Sequence, residues 1–298
     1  MPAQAAIAYP CQNVVGESAI WEPIDQHVYW VDIVGRAIHR FHPGSGDHSQ
    51  WATPDLVTSI GLASEGRFVV GLRKQVTLWH PGGTFEPLAD IEPELPRNRL
   101  NEGVVAPDGT FWVGTMENNI GPNGEPVPIS GKKGALYRVS PKGEVKGLTE
   151  HPFGITNTMI WLDDGSFVTA DTSDNSLFRF SLAPTGETLT EPRPYGQPID
   201  FGLPDGSSRD VAGAVYNCRV AGGQALAKIA PDGRQVERID LPALSPTSVT
   251  FGGPDLMTLF VTTARFGLSD EQLPVGSANG ALLSLPVDTP GTPPRRFG

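Results

Sequence analysis

A diverged repeat limits what this chain can fold into. Runs of β-branched and aromatic residues recur as VYWVDI (28–33), FVVGL (68–72), FWVGT (111–115), FVTAD (167–171), VYNCR (215–219) and LFVTT (259–263). Each follows a turn signal: PIDQ, SEGR, PDGT, DDGS, VAGA and GPDLMT. Each leads into a second strand-like run: AIHRFHP, VTLWHP, ALYRVSP, SLFRFSL, ALAKIAP and ALLSLPV. The equivalent positions Asp32, Gly71, Gly114, Asp171, Cys218 and Thr262 lie 39, 43, 57, 47 and 44 residues apart. Such residues suit a pleated, buried strand, and no amphipathic helical stretch interrupts them. A unit in the forties with three or four short strands is the pattern of a β-propeller. Six units predict an all-β, six-bladed β-propeller, one domain over residues 1–298. A β-sandwich or two small barrels would not need six similar units. The N-terminal AAIAY is expected to add a strand to the last blade, closing the ring and removing free sheet edges.

The first strand of each propeller blade lines the central channel. Eight residues before the turn residues Asp25, Gly66, Gly109, Gly165, Gly213 and Asp255 stand Glu17, Thr58, Asn101, Asn157, Asp205 and Thr247. Any one of these polar residues reads as a turn or cap. Six at equivalent positions converge on one end of one axis. They predict a polar, negatively biased mouth suited to a small molecule or a cation. Two carboxylates and two amide oxygens are what the hard ions Ca²⁺, Mg²⁺ and Mn²⁺ accept. The six histidines, His27, His39, His42, His48, His80 and His151, show no HxxxH or HxH spacing. They read as structural or surface residues, which argues against a His-rich zinc site and leaves zinc in an oxygen site open.

Composition removes several function classes. Lys and Arg total 22 against 33 Asp and Glu, a net charge of −11 that disfavours nucleic acid and anionic membranes as partners. Hydrophobic residues make up 39% and charged residues 18%, enough apolar material for a core. Cys11 and Cys218 read as two reduced thiols rather than a disulfide framework. The N-terminus lacks a basic region and an apolar core, so a soluble, cytoplasmic protein is expected. No apolar stripe advertises an interface, so a monomer is expected. There is no G-x-S-x-G elbow, P-loop or dinucleotide fingerprint. What remains is a metal in a polar mouth, polarising a carbonyl and activating water beside a carboxylate base. Hydrolysis of an ester or lactone suits these parts.

VVGESAIWEP…VYWVDI, NRLNEGVVAPDGTFWVGTM, ITNTMIW, LPDGSSRD and FGGPDLMTLFVTTARFGLSDEQL follow one another along the chain. In this order they resemble the motifs of the gluconolactonase/regucalcin-like (senescence-marker protein) family, from about residue 13 to 288. The resemblance implies a six-bladed propeller with one divalent metal on its axis, calcium first among Ca, Zn, Mg, Mn and Fe. It implies Glu17, Asn157 and Asp205 as metal ligands, with Asp205 also the catalytic base. Arg99, Asn101 and Glu117 would contact the substrate, a sugar lactone opened to its aldonic acid. Water would be delivered by Asp205 or as hydroxide on the metal. Glu102 stands where many members have Asp, is expected to point away from the ligand, and is given no role. Segment 117–134 reads as a simple insertion or as a lid that shapes sugar specificity, and 265–280 as a second loop on the same rim. Two other readings stay open: a phosphotriester or aryl-ester hydrolase on the same site, and a non-enzymatic calcium-binding propeller. A more apolar mouth would favour the former. Arg99, Asn101, Asn119 and Asn123 argue instead for a polyol.

Overall fold

A computed structural model describes residues 4–184, 187–274 and 277–298. Six antiparallel sheets succeed one another in chain order as the blades of a β-propeller. Blade 1 runs through Gly16–Glu22, His27–Asp32, Ala37–Phe41 and His48–Ala52. The innermost strands of blades 2 to 6 are Val57–Ala63, Asn98–Val105, Thr156–Trp161, Leu203–Arg209 and Pro246–Gly252. The only helical segments among the described residues are three single 3₁₀ turns. The last blade takes Ala6–Tyr9 as its outermost strand, paired antiparallel with Leu282–Pro286, so an N-terminal strand closes the ring.

The core lies between the blades. Six apolar clusters occupy the six blade interfaces, which is why the ring has no unpaired face. Tyr29, Val31 and Ile38 of blade 1 pack on Ile60, Phe68 and Trp79 of blade 2. Trp21, Val28 and Trp30 of blade 1 meet Phe260 and Leu282 of blade 6, closing the circle. The second strands Phe68–Leu72 and Phe167–Asp171 are buried along their whole length, because they pack on both neighbours. This explains why they read as continuous apolar runs rather than alternating ones.

Every innermost strand carries a bulge. The pairing register slips between Glu17 and Ile20, Val57 and Ser59, Leu100 and Gly103, Asn157 and Met159, Pro204 and Ser207, and Pro246 and Val249. A bulge re-aims side chains and tightens the local twist. Here each one falls on or beside the polar residue picked out by the repeat. Ser18 and Thr158 adopt left-handed backbone at φ 51°. Ile60 N–H donates to Ser18 Oγ at 2.9 Å, and Thr158 Oγ1 lies 2.9 Å from Ser207 Oγ, so these strained residues join neighbouring blades at the axis.

The C-terminal segment forms a strap that sequence patterning did not predict. Val211 N–H donates to Pro290 O at 2.9 Å and Thr292 N–H to Arg209 O at 3.1 Å. Arg296–Phe297 then runs parallel to Leu62–Ala63 in blade 2. Arg296 also donates to Glu22 of blade 1 at 2.6 Å, and Gly298 N–H reaches Gly109 O of blade 3 at 3.1 Å. The strap therefore ties five blades across the end of the channel lined by Ser18, Glu102 and Ser248.

His39 is buried in blade 1, stacked on Trp30 at 5.0 Å, with its Nδ1 3.0 Å from His48 Nε2. Burial, then the nearby His48, lowers its pKa to about 4. The folded state therefore refuses a proton that the unfolded chain takes up near pH 6.5. Stability should fall as pH drops from 6.5 towards 4, by at most about 1.4 kcal/mol per pH unit. Denaturant titrations of the wild type and His39→Gln across that range should show a shallower acid loss in the variant.

Candidate functional site

The bulges sort the axis residues between two mouths. Glu17, Asn101, Asn157, Asp205 and Thr247 line a front cavity of about 470 Å³, within the size range of small-molecule sites. The residues that follow four of them, Ser18, Glu102, Ser248 and, one further on, Ser207, line the opposite mouth under the C-terminal strap. Thr58, the sixth of the series, turns to Gly71 O at 3.2 Å and does not line the front cavity. Glu102 faces the rear mouth, away from Arg99 and Asn101.

Gly206 permits this arrangement. A Cβ there would sit 2.8 Å from Thr247 O and 2.9 Å from Ser248 Cα, so only glycine lets the bulge of blade 5 lie this close to blade 6. Asp205 is thereby carried onto the axis. Its Oδ1 is buried and has no hydrogen-bond partner. Glu17 Oε2 accepts from Ser18 N–H at 3.0 Å.

The amide of Asn157 is oriented by its neighbours. Its Nδ2 donates to Thr172 Oγ1 at 2.8 Å, whose own hydroxyl donates to Pro204 O at 2.7 Å. With the amino end fixed there, Oδ1 accepts from Asn101 Nδ2 at 3.0 Å and keeps a lone pair for another partner. Asn101 spends its second donor on Thr156 O at 2.8 Å. Its own Oδ1 accepts from Arg99 Nη1 at 2.7 Å. Arg99 Nη2 donates to Asn119 Oδ1 at 2.8 Å, while its buried Nε has no partner. Arg99, Asn101 and Asn119 thus form one fork on the blade 3 side of the cavity.

Charge is the dominant feature. Burial pushes the Glu17 carboxyl up to about 8, and the Glu102 charge pushes the same way. Burial lifts Asp205 well above the usual carboxylate range, with Glu17 and Glu102 adding to it. Glu102 rises to about 7 by burial. Burial brings Arg99 down to about 10, against the pull of Glu17 and Asp205. One guanidinium thus answers Glu17 and Asp205 at the front, while Glu102 behind them disfavours the charge of both. Among the described residues, no three His, Cys, Asp or Glu side chains gather as a metal-holding group. Two carboxylates and one amide oxygen are the available set.

Glu117 lies elsewhere. It ends the second strand of blade 3, with its side chain buried against Arg97 at 2.8 Å and Lys133 at 3.6 Å and accepting from Ser130 N–H. It does not line the front cavity, whereas Asn119, two residues on, does. No other residue of segment 117–134 lines the front cavity: Ile120 joins the core between blades 1 and 2. Asn123 lines a separate cavity with Arg36 and Arg73. Segment 265–280 contributes Phe266, Gly267, Leu268 and Gln272 to the front cavity, and its residues 275–276 lie outside the described residues. None of the six histidines lines the cavity. No helix is long and apolar enough to cross a membrane.

A family model described as "SMP-30/Gluconolactonase/LRE-like region" matches residues 15–265. The chain is 31% identical over 283 residues to a 6-deoxy-6-sulfogluconolactonase of Pseudomonas putida, covering 94% of this chain and 93% of that protein. It is 30% identical to a pentonolactonase of Haloferax volcanii, with 94% and 93% covered. A crystal structure titled as the calcium-binding protein regucalcin of Agrobacterium tumefaciens superimposes with a TM-score of 0.89 at 25% identity, covering 100% of this chain and 98% of that one.

Two outcomes follow from this geometry. In chelator, Glu17 has a folded pKa raised from 4.5 to about 8, so the metal-free fold should lose stability as pH rises through that interval. Glu17→Gln should lose less over the same range and be more stable at pH 8 by about 1 kcal/mol or more, read by chemical denaturation. Thr172→Val keeps the shape of the side chain but releases the Asn157 amide. It should weaken divalent-cation affinity about ten-fold or more by calorimetric titration; unchanged affinity would remove Asn157 from the cation's surroundings.

Proposed function

This chain belongs to the SMP-30/gluconolactonase/LRE-like family, and from that premise we propose that it is a lactonase, hydrolysing a sugar (aldono) lactone to the open aldonic acid. The observation that carries the reading is Asp205. Its Oδ1 is buried without a partner, on the axis of a ligand-sized cavity that also holds Glu17, Asn157 and the Arg99 fork.

A divalent ion fits this set. The donors are hard oxygens, the orphaned Oδ1 lacks a counter-group, and a dication would offset the repulsion among Glu17, Glu102 and Asp205. Glu17, Asn157 and Asp205 would hold it. Calcium is the first choice, since the regucalcin structure is titled as calcium-binding. When bound, such an ion supplies Lewis-acid polarisation of the lactone carbonyl.

The chain's own groups do the rest. Arg99 retains an unused donor on Nη2 for ring or hydroxyl oxygens of the substrate. Asn101 and Asn119 hold that guanidinium flat against the blade 3 side. Asp205 takes a proton from water as the water oxygen bonds to the acyl carbon. The acyl–oxygen bond of the ring then breaks, and the proton passes to the departing ring oxygen. The product is a hydroxy acid.

Proton release from a panel of aldonolactones should be well above spontaneous opening, should stop with EDTA and should return with Ca²⁺, Mg²⁺, Mn²⁺ or Zn²⁺. Asp205→Ala should lose about 10²-fold or more in kcat. Tight ion binding with no turnover on any lactone would leave a phosphotriester or aryl-ester hydrolase or a binding function.

A further inference from the structure

The front cavity has two unlike halves. Its floor and blade 3 side carry Glu17, Arg99, Asn101, Asn119, Asn157 and Asp205, with Met116 and Ile155 beside them. The facing wall is hydrocarbon: Val15, Ile33, Val220, Leu244, Phe266 and Leu268. These residues come from blades 1, 5 and 6 and from segment 265–280, and together they form a continuous stretch of apolar lining away from Arg99 itself.

The charge of the lining is equally one-sided. Among the described residues it holds Glu17, Asp205 and a single cation, Arg99, which is already shared between Leu100 O, Asn101 and Asn119. Most other cations of the surrounding loops are engaged, and Arg265, which reaches only Gln12 at 3.5 Å, does not line the cavity. Arg97 and Lys133 pair with Glu117, Lys132 with Asp171 and Asp174, and Arg219 donates to Asn175, Phe201 O and Gly202 O. Arg36 and Arg73 line the separate cavity beyond segment 118–124. An ionised group on the distal end of a substrate would therefore lose its water against hydrocarbon, near two carboxylates, with no cation in the wall to receive it.

We propose that the site selects uncharged lactones whose distal carbon carries a hydrocarbon group, such as the terminal methyl of a deoxy sugar lactone, and discriminates against lactones with a sulfonate, carboxylate or phosphate at that end. The ring hydroxyls face Arg99, Asn101 and Asn119. The methyl or alkyl end lies on Phe266, Leu268, Val15 and Ile33. This rests on the lactonase reading above and sets the chain apart in substrate from the 31%-identical relative named for a sulfonated lactone. A hydrocarbon group in such a pocket is worth about ten-fold or more in kcat/KM over its absence.

The test compares three hexonolactones of one ring size and stereochemistry, differing only at C6: methyl, hydroxymethyl and an ionised group, either sulfonate or carboxylate. Steady-state proton release is measured with the metal-loaded full chain. The expected order of kcat/KM is methyl above hydroxymethyl by about ten-fold or more, with the ionised lactone lowest. Phe266→Arg should invert the ends of the series, raising the ionised lactone and lowering the methyl one. Leu268→Arg makes the same test from the neighbouring wall position should the first variant fail to fold. Equal rates on all three, or preference for the ionised lactone by the wild type, would overturn the selectivity and leave the lactonase reading standing. No turnover of any lactone would overturn the lactonase reading itself.

Discussion

Three carboxyl groups buried around one axis, with one guanidinium to answer them, are the constraint on which the rest of this structure depends. Glu17, Glu102 and Asp205 each raise the pKa of another or are raised by burial. A fold does not retain such an arrangement for stability, since isolated buried charge is costly and like charges add to the cost. Perturbed carboxyls converging in a ligand-sized cavity point to function instead. In the proposed reading a dication among the oxygens would offset that cost and would supply the Lewis acid for lactone opening.

The propeller makes this possible by keeping its two tasks apart. Stability comes from six apolar interfaces between blades, where Trp79, Phe68, Trp21 and Phe260 are buried. The axis is left free to hold polar and strained groups. Bulges in five of the six inner strands turn one residue to the front mouth and, in most blades, a following residue to the rear. Ser18 and Thr158 absorb the strain and return hydrogen bonds to the next blade.

Much of this was legible in the spacing of the repeat. Six blades, the strand positions, the N-terminal strand of the last blade, and five of the six front-mouth residues follow from equivalent positions in diverged units. Bulges were not legible, because a one-residue slip leaves no mark on composition. They decide that Asn101 and Glu102, adjacent in sequence, face opposite ends of the channel. Asn119 was noticed as a polyol contact but not assigned to the site. It reaches Arg99 because the chain leaves the strand at Glu117 and folds back, whereas Glu117 is held by Arg97 and Lys133. Asn123 belongs to a different cavity. Thr172 and Gly206 act through orientation and close approach, which need coordinates to be seen. The strap at 287–298 has no repeat signature and pairs with residues far away in sequence.

The central claim is that Glu17, Asn157 and Asp205 together hold a divalent ion. Anomalous diffraction from crystals soaked in Ca²⁺ addresses it directly. The account predicts one strong peak at about 2.3–2.6 Å from an oxygen of each of the three side chains. A peak elsewhere on the axis, or none at a calcium concentration that supports full turnover, would contradict it.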